Sequence, residues 1–156
     1  MIPIFYKLQR ENLLKQNGVL LDLGCGNGRQ SEPFYKYGYR VILVDKDGAV
    51  LEQAKNNLSA IREGKMDVQN LSIEDFDFKE SYDGVIISNV LPFQTNKENI
   101  DRIVRTSFEK LNKGGFLFFT LFGHQDAWDK EYPDRMSFYD KDEALNILPQ
   151  KPYFIS

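Results

Sequence analysis

Short apolar runs alternate along the chain with segments in which apolar residues recur every three or four positions. A short apolar run indicates a strand that is buried on both faces, and the longer period indicates an amphipathic helix. Alternation of the two over most of a chain is typical of βαβ units with a parallel sheet. The predicted strands are 19–23, 39–45, 65–68, 82–89 and 116–122, and the predicted helices are 27–36, 47–62, 97–112 and 140–148.

Local signals set the expected ends of these elements. Gly114-Gly115 is expected to end the helix at 97–112, and Asp140 is expected to cap the next helix. A sixth strand is expected to begin at 153–155.

Parallel strands that are joined by helical crossovers connect in a right-handed sense. The pattern therefore predicts an α/β fold with a doubly wound, mostly parallel, Rossmann-like sheet, whose ligands bind at the carboxyl ends of the strands. One domain is expected. It consists of an N-terminal helical extension at 1–16, a cofactor-binding core at 17–122, and a substrate-side loop, helix and start of a sixth strand at 123–156.

Composition changes this picture mainly by exclusion. The net charge of −3 counts against a nucleic-acid partner, because such binding depends on Lys and Arg that neutralise phosphates. No apolar run is long enough to span a membrane, and no signal-peptide pattern is found at the N-terminus. The single cysteine, Cys25, cannot form an internal disulfide, so a cytoplasmic location is expected.

The most informative motif is the segment Asp-Leu-Gly-Cys-Gly-Asn-Gly-Arg, which follows the first strand. Its glycines, Gly24, Gly26 and Gly28, allow a sharp turn and a close approach of a ligand. A dinucleotide fingerprint needs G-x-G-x-x-G, and Arg29 stands where the last glycine would be. The Asp22 carboxylate would repel a pyrophosphate, but it suits the sulfonium and ammonium of S-adenosylmethionine. The motif therefore favours S-adenosylmethionine over a dinucleotide.

Polar residues further along the chain are expected to bind the same ligand. Asp45 ends the second strand about 20 residues past the glycines, where a carboxylate accepts hydrogen bonds from ribose hydroxyls. The alternative for Asp45 is a helix cap. The backbone of Lys46 and Asp47 is expected to border the adenine. Asp67 and Val68 are expected after the third strand, where they would hold the adenine ring, and the alternative for Asp67 is a turn cap.

In this order and spacing the chain resembles the class I S-adenosylmethionine-dependent methyltransferases. The resemblance covers roughly 17–122 and rests on the segments 19–29, 41–47, 67–68, 82–89 and 111–116. Within the class, the sequence of 22–29 and 82–88 is most similar to that of the small tellurite-resistance-type methyltransferases.

The resemblance implies methyl transfer from S-adenosylmethionine to a small-molecule acceptor by in-line displacement, and no metal site. The expected cofactor-binding residues are Asp22, Gly24, Cys25, Gly26, Gly28, Arg29, Asp45, Lys46, Asp67, Val68, Ser88 and Asn89. A non-catalytic S-adenosylmethionine-binding regulatory module, or a methyltransferase for protein or nucleic acid, is the alternative. The D/N/S-P-P-aromatic motif of nucleic-acid amino-methyltransferases is not met at 89–93, which has one proline.

Candidates for direct chemistry are few. His124, the only histidine, follows the fifth strand, and its imidazole suits a general base; the alternative is a surface loop residue. Cys25 is interpreted as a small residue in a tight turn. Arg29 is interpreted as the partner of a nearby acid, with a substrate anion as the alternative. The segment 127–133, together with Tyr6 and Phe93, either forms part of a substrate lid or covers the edge of the core.

The end of the chain raises the question of how the sheet is completed. Sheets of this family normally close with a sixth and a seventh strand, whereas this sequence stops near the sixth. An unpaired apolar edge invites association. A homodimer formed through this edge, or a marginal free edge, is therefore expected.

Overall fold

Five parallel strands form the central sheet of the computed structural model, which describes residues 4–61, 64–94, 96–124, 126–132 and 134–147. The strands are β1 Val19–Leu23, β2 Arg40–Asp45, β3 Met66–Asn70, β4 Tyr82–Ile87 and β5 Leu111–Phe119. They lie in the order β3-β2-β1-β4-β5, so the order reverses between β1 and β4. The predicted α/β, doubly wound, Rossmann-like fold is confirmed.

Six α-helices accompany the strands in the part of the chain that the structure describes. They are α1 Ile4–Arg10, α2 Glu32–Tyr37, α3 Gly48–Ser59, α4 Lys97–Glu109, α5 Ala127–Glu131 and α6 Lys141–Asn146. Asp140 begins α6 with a capping box, in which its carboxylate accepts from the Glu143 amide and the Glu143 carboxylate accepts from the Asp140 amide. The predicted cap at Asp140 is therefore present.

The hydrophobic core consists of two clusters, one on each face of the sheet. Successive side chains of a strand point to opposite faces, so Leu21 of β1 packs in one cluster and Leu20 in the other. The first cluster includes Ile103 of α4, and the second includes Phe34 of α2 and Leu51 of α3. Burial of each such side chain contributes about 1.5–3 kcal/mol. The two clusters fix the sheet between its helices and so fix the ends of its strands.

Two predicted boundaries were wrong for reasons of backbone geometry. Helix α2 begins at Glu32 rather than at residue 27, because the glycine turn continues up to the helix. Gly114-Gly115 does not end α4 but lies inside β5, where the register against β4 shifts. Gly114 has φ of 75°, and a Cβ on Gly115 would lie 2.9 Å from the Asn112 carbonyl oxygen. The pair therefore marks an irregularity in the strand.

A second, two-stranded sheet was not predicted. Phe122–Gly123 (β6) pairs in parallel with Phe138–Tyr139 (β7) beyond the end of β5. Strands of two residues show no hydrophobic period, so the sequence carries no signal for them. The sixth strand expected at 153–155 lies outside the described residues.

Among the described residues the sheet has two edges, β3 and β5, and residues 116–119 of β5 are half-buried. No described residue pairs with the outer side of β5, which is the side that the expected homodimer would use. The dimer stays a prediction.

Candidate functional site

A cavity of about 600 Å³ lies at the carboxyl ends of β1, β2 and β4, and we call it the loop cavity. Cavities of this size hold small ligands, and this one lies where the strand order reverses. Its lining residues are Ile4, Asp22, Gly24, Cys25, Gly26, Asn27, Arg29, Gln30, Asp45, Ser88, Asn89, Val90 and Phe118. Eight of the twelve predicted cofactor residues are among them.

The glycine turn is held in place by β2. The Val44 carbonyl accepts from the amides of Gly24 and Cys25 at 2.7 and 3.0 Å. Gly24 has φ of 73°, and a Cβ there would lie 2.1 Å from a methyl carbon of Val90. Only glycine meets both demands, since a positive φ and the lack of space each disfavour a side chain.

Gly28 was predicted to contact the cofactor, but it is buried against helix α3. A Cβ at this position would lie 2.9 Å from the Leu58 side chain and 3.2 Å from Ala54, both on α3. Gly28 does not line the loop cavity, so its role in the structure is close packing between the turn and α3.

Asp45 is oriented by backbone amides. Its Oδ2 accepts from the Gly26 amide at 2.9 Å, and its Oδ1 accepts from the Asp47 amide at 3.0 Å. The helix cap that was the alternative role for Asp45 is filled by Asp47, which accepts from the amides of Ala49 and Val50. Each Asp45 oxygen keeps a lone pair, so the carboxylate can accept from a pair of hydroxyl groups in the cavity.

Asp22 is a buried carboxyl group at the base of the loop cavity, with 1% of its surface exposed. Burial raises its pKa to about 7, the hydrogen bond from Ser31 lowers it, and the Asp45 charge raises it. The Ser31 hydroxyl donates to Asp22 Oδ2 at 2.6 Å. A carboxyl group in this state is stabilised as an anion by a cation placed beside it. The cavity is therefore suited to a positively charged group.

The Cys25 thiol lines the same cavity but is not a nucleophile. Burial and the Asp22 and Asp45 carboxylates raise its pKa well above the usual range. Because the thiolate is the reactive form, the thiol stays unreactive at neutral pH. This supports the interpretation of Cys25 as a small residue in a tight turn.

We expect native Cys25 to react with iodoacetamide at least about tenfold more slowly than the same thiol in the urea-unfolded chain, because folding raises its pKa and buries it. Mass spectrometry of timed samples at mildly alkaline pH measures both rates. Equal rates would contradict the assignment of Cys25 as an inert residue.

Arg29 lines the loop cavity, and its side chain is exposed. The ion pair preferred for it from the sequence is not formed with any residue that the structure describes. For the described residues, the predicted ion pair of Arg29 was therefore wrong. The guanidinium can still bind an anionic group of a ligand.

The structure does not bring Asp67, Val68 and Lys46 to the loop cavity. Strand β3 continues to Asn70, so Asp67 lies within the strand and not after it. The Asp67 carboxylate instead accepts from the Arg40 guanidinium and lines a smaller cavity of about 280 Å³. The polar residues at the end of β3 resembled a loop in the sequence, which explains the misplacement.

The residue that pairs with the end of β2 is Asn70, which the sequence interpretation missed. It lies opposite Asp45 in the register, and its Nδ2 donates to the Asp45 carbonyl at 2.9 Å. The register of β3 against β2 identifies it, and the sequence carries no signal for that register. Asn70 and the following Leu71 therefore lie beside Asp45 at the carboxyl end of β3, although neither lines the loop cavity.

The wall of the cavity after β4 is held by an unpredicted residue, Thr120. Asn89 has φ of 56°, in the left-handed region. Its amide donates to Thr120 Oγ1 at 2.6 Å, and the same hydroxyl donates to Asn89 Oδ1 at 3.3 Å. One threonine at the end of β5 thus fixes both the backbone and the side chain of Asn89 beside Ser88.

Four aromatic rings gather beyond the ends of β4 and β5. We call Phe93, Phe122, Trp128 and Phe138 the aromatic cluster; its ring centroids lie 5.6–6.5 Å apart. Helix α5, which carries Trp128, falls in the segment that was interpreted as a lid or an edge cover. Residues Phe93 and Trp128 are 47% and 40% exposed, so the cluster presents apolar surface to solvent.

His124 lies next to this cluster and has a carboxylate partner that the sequence interpretation missed. Its Nδ1 lies 3.2 Å from Asp129 Oδ2. Its ring centroid lies 6.2 Å from that of Phe138. The histidine is thus held by an acid five residues further along the chain.

The described residues contain neither a helix suited to a membrane span nor a cluster of metal ligands. None of their helices is both long and apolar enough for a membrane span. They also contain no group of three or more His, Cys, Asp or Glu side chains placed to hold a metal ion.

Residues 20–115 match a family model described as a methyltransferase domain. The chain is 29% identical to malonyl-[acyl-carrier protein] O-methyltransferase of Bacillus cereus, over 82% of this chain and 52% of that protein. It is 28% identical to a ubiquinone biosynthesis O-methyltransferase of Pelagibacter ubique, over 74% of this chain and 51% of that protein. The chain thus spans about half the length of these curated relatives.

Solved structures share the fold at lower identity. An S-adenosylmethionine-dependent methyltransferase from Methanosarcina mazei superposes with a TM-score of 0.71 at 19% identity, over 95% of this chain and 82% of that one. An S-adenosylmethionine-dependent methyltransferase from Clostridium acetobutylicum superposes with a TM-score of 0.65 at 19% identity, over 78% and 48%.

Proposed function

The chain belongs to the methyltransferase-domain family, and from that premise we propose that it transfers a methyl group from S-adenosylmethionine to a small-molecule acceptor. S-adenosylmethionine supplies the methyl group on a positively charged sulfur, and the carbon–sulfur bond breaks with its electron pair left on sulfur. The observation that carries the proposal is the buried Asp22 carboxyl at the base of the loop cavity.

The polar groups of the loop cavity fit this molecule and do not fit a dinucleotide. Asp22 is matched to the cationic methionine end, and the turn of Gly24 and Gly26 leaves room for close approach. Asp45 is matched to the ribose hydroxyls through its two oriented oxygens. Two carboxyl groups facing one cavity would repel a pyrophosphate, which is an anion.

The nucleoside end is assigned to the carboxyl ends of β2 and β3. Asn70 and Leu71 lie there beside Asp45, and we place the adenine at this edge in preference to Asp67 and Val68. The reacting end is assigned to the β4 side, at Ser88 and Asn89. For a donor that is already activated, the protein's main contribution is to orient the reactants and to exclude water.

The small-molecule acceptor is supported by the surface of the chain and by its relatives. The net charge is negative, which disfavours nucleic acid. Two curated relatives are named as a malonyl-[acyl-carrier protein] O-methyltransferase and a ubiquinone biosynthesis O-methyltransferase. The exposed aromatic cluster beyond β4 and β5 is apolar, as surfaces that receive small organic molecules usually are.

The test is calorimetry with S-adenosylhomocysteine, the demethylated product. We expect the protein to bind it, and Asp45→Asn to weaken binding about 10- to 100-fold, because hydrogen bonds to a charged group contribute about 1.5–3 kcal/mol. Asp47→Asn is the matched control: it removes the same charge two residues away, and asparagine still caps α3. Its affinity should stay close to that of the original protein.

Binding of NADH together with no binding of S-adenosylhomocysteine would overturn the proposed function. If the protein binds S-adenosylhomocysteine but produces none of it from S-adenosylmethionine with any acceptor of a screen, the regulatory module would be favoured instead.

A further inference from the structure

We propose that the aromatic cluster and the His124–Asp129 pair form the acceptor site, and that the acceptor is an aromatic compound whose hydroxyl proton His124 removes. This inference rests on the proposed function and adds the class of substrate to it. Four observations carry it: the position of the cluster, the exposure of its rings, the orientation of the histidine, and the chemistry that such a histidine serves.

Two chain connections link the cluster to the β4 side of the loop cavity, although none of its four rings lines that cavity. Phe93 follows three residues after Val90, which lines the cavity, within a short 3-10 helix, Leu91–Phe93. Phe122 follows two residues after Thr120, whose hydroxyl is bonded to Asn89 of the cavity wall. Both connections lead from the reacting side of the cavity rather than from the ribose side.

The rings of the cluster are arranged to receive another ring. Trp128 meets Phe122 at 79° and Phe93 at 61°, so the contacts are edge to face. An edge-to-face contact leaves ring faces uncovered, and a further aromatic ring is attracted to such faces by its own quadrupole. Phe93 and Trp128 are the two most exposed members, so the uncovered surface is theirs.

His124 is oriented as a general base. The Asp129 carboxylate accepts only, so the proton of a neutral His124 ring lies on Nδ1 and leaves Nε2 free to accept. Nε2 has no hydrogen-bond partner among the residues described, and the side chain is 56% exposed. Glu143 of α6 also interacts electrostatically with this imidazole, and it is paired with Lys97 at 2.9 Å.

An oriented base indicates a hydroxyl acceptor. A neutral amine can attack a methyl sulfonium with its own lone pair and lose its proton afterwards, whereas a hydroxyl oxygen becomes a good nucleophile only as its proton leaves. In the proposed step, the hydroxyl proton passes to His124 Nε2. The oxygen electron pair forms the new bond to the methyl carbon as the carbon–sulfur bond breaks, and the imidazolium then releases its proton to water.

The kinetic test compares two acceptors that differ in acidity. For 4-methylphenol, whose hydroxyl resembles that of tyrosine with a pKa of about 10, His124→Ala should lower kcat/KM about 10²- to 10⁴-fold. For 4-nitrophenol, which is largely ionised at mildly alkaline pH, the same variant should lose less than about tenfold, because no base is needed. Equal losses for the two phenols would assign His124 a structural role and overturn the proposal.

Asp129 is tested as a positioning residue. Asp129→Asn should lower the rate with 4-methylphenol by about tenfold or more, because the amide no longer fixes the charge and tautomer of the ring, and should spare 4-nitrophenol. Asp134→Asn, which removes an exposed charge five residues further along, should change neither rate. Because His124 is the only histidine, its ring signals in NMR report directly whether Asp129→Asn alters its tautomer.

A binding test does not depend on turnover. Trp128 is the only tryptophan, so its fluorescence reports on the cluster alone. With S-adenosylhomocysteine bound, 4-methylphenol should quench this fluorescence saturably, and Phe93→Ala should weaken the apparent affinity several-fold. Cyclohexanol, of similar size but without a ring face, should bind more weakly than the phenol. Equal affinity for the two alcohols, or no quenching, would overturn the aromatic acceptor site.

Calorimetry with S-adenosylhomocysteine separates the two levels of the argument. Retained affinity in the His124, Asp129 and Phe93 variants shows that they are folded. If the original protein binds S-adenosylhomocysteine but neither binds nor methylates the phenols, this inference fails and the proposed function stands. If it does not bind S-adenosylhomocysteine, the proposed function fails.

Discussion

Gly24→Ala is expected to lower the free energy of unfolding by about 2–5 kcal/mol, and to abolish binding of S-adenosylhomocysteine. A left-handed conformation costs a residue with a Cβ about 1–2 kcal/mol, and Gly24 has φ of 73°. The new Cβ would also lie 2.1 Å from a methyl carbon of Val90, and such overpacking typically costs about 1–3 kcal/mol. Urea denaturation of the ligand-free protein measures the sum.

Gly26→Ala is the matched control for this experiment. Gly26 also has a positive φ, of 52°, but a Cβ there meets no atom within 4 Å. The free energy of unfolding of Gly26→Ala should therefore fall only by the cost of the left-handed backbone, about 1–2 kcal/mol. If the two variants were equally stable, the contact between the turn and Val90 would have no energetic weight.

The second large effect is the pH dependence of stability that comes from Asp22. Its pKa is 3.8 without the fold and about 7 in the folded protein. Between these values the folded chain holds a proton that the unfolded chain has lost. The contribution of Asp22 to the free energy of unfolding is therefore fully present below pH 3.8. It falls by about 1.4 kcal/mol per pH unit as the pH rises towards 7.

Asp22→Asn tests this directly. Asparagine has the same shape and does not titrate, so the free energy of unfolding of this variant should lack the fall between pH 5 and 7, while the original protein shows it. A variant with an unchanged slope would show that Asp22 is not the group responsible.

The ligand should reverse the effect at the same carboxyl group. The ammonium of S-adenosylhomocysteine favours ionised Asp22, so its affinity for the original protein should rise with pH up to about 7 and then level off. The affinity of Asp22→Asn should be weaker and nearly independent of pH. Calorimetry at several pH values measures both.

The sequence by itself determined where the five strands of the central sheet lie along the chain, and it determined the glycine turn. Apolar runs such as Val41–Ile42–Leu43–Val44 are buried on both faces, so their composition alone indicates a central parallel strand. Gly24 and Gly26 were recognisable because a sharp turn between strand and helix needs residues without a Cβ. Asp22 and Asp45 followed from their positions at strand ends, and the structure places both at the loop cavity.

The tertiary structure alone decided the pairings between distant segments. The register placed Asn70, not Asp67, beside Asp45, because β3 continues through polar residues that pair with β2. The Thr120–Asn89 and His124–Asp129 bonds and the aromatic cluster join separate elements. No local pattern records such contacts: hydrophobic period and turn chemistry describe neighbours along the chain, whereas packing of the sheet and helices sets which residues meet.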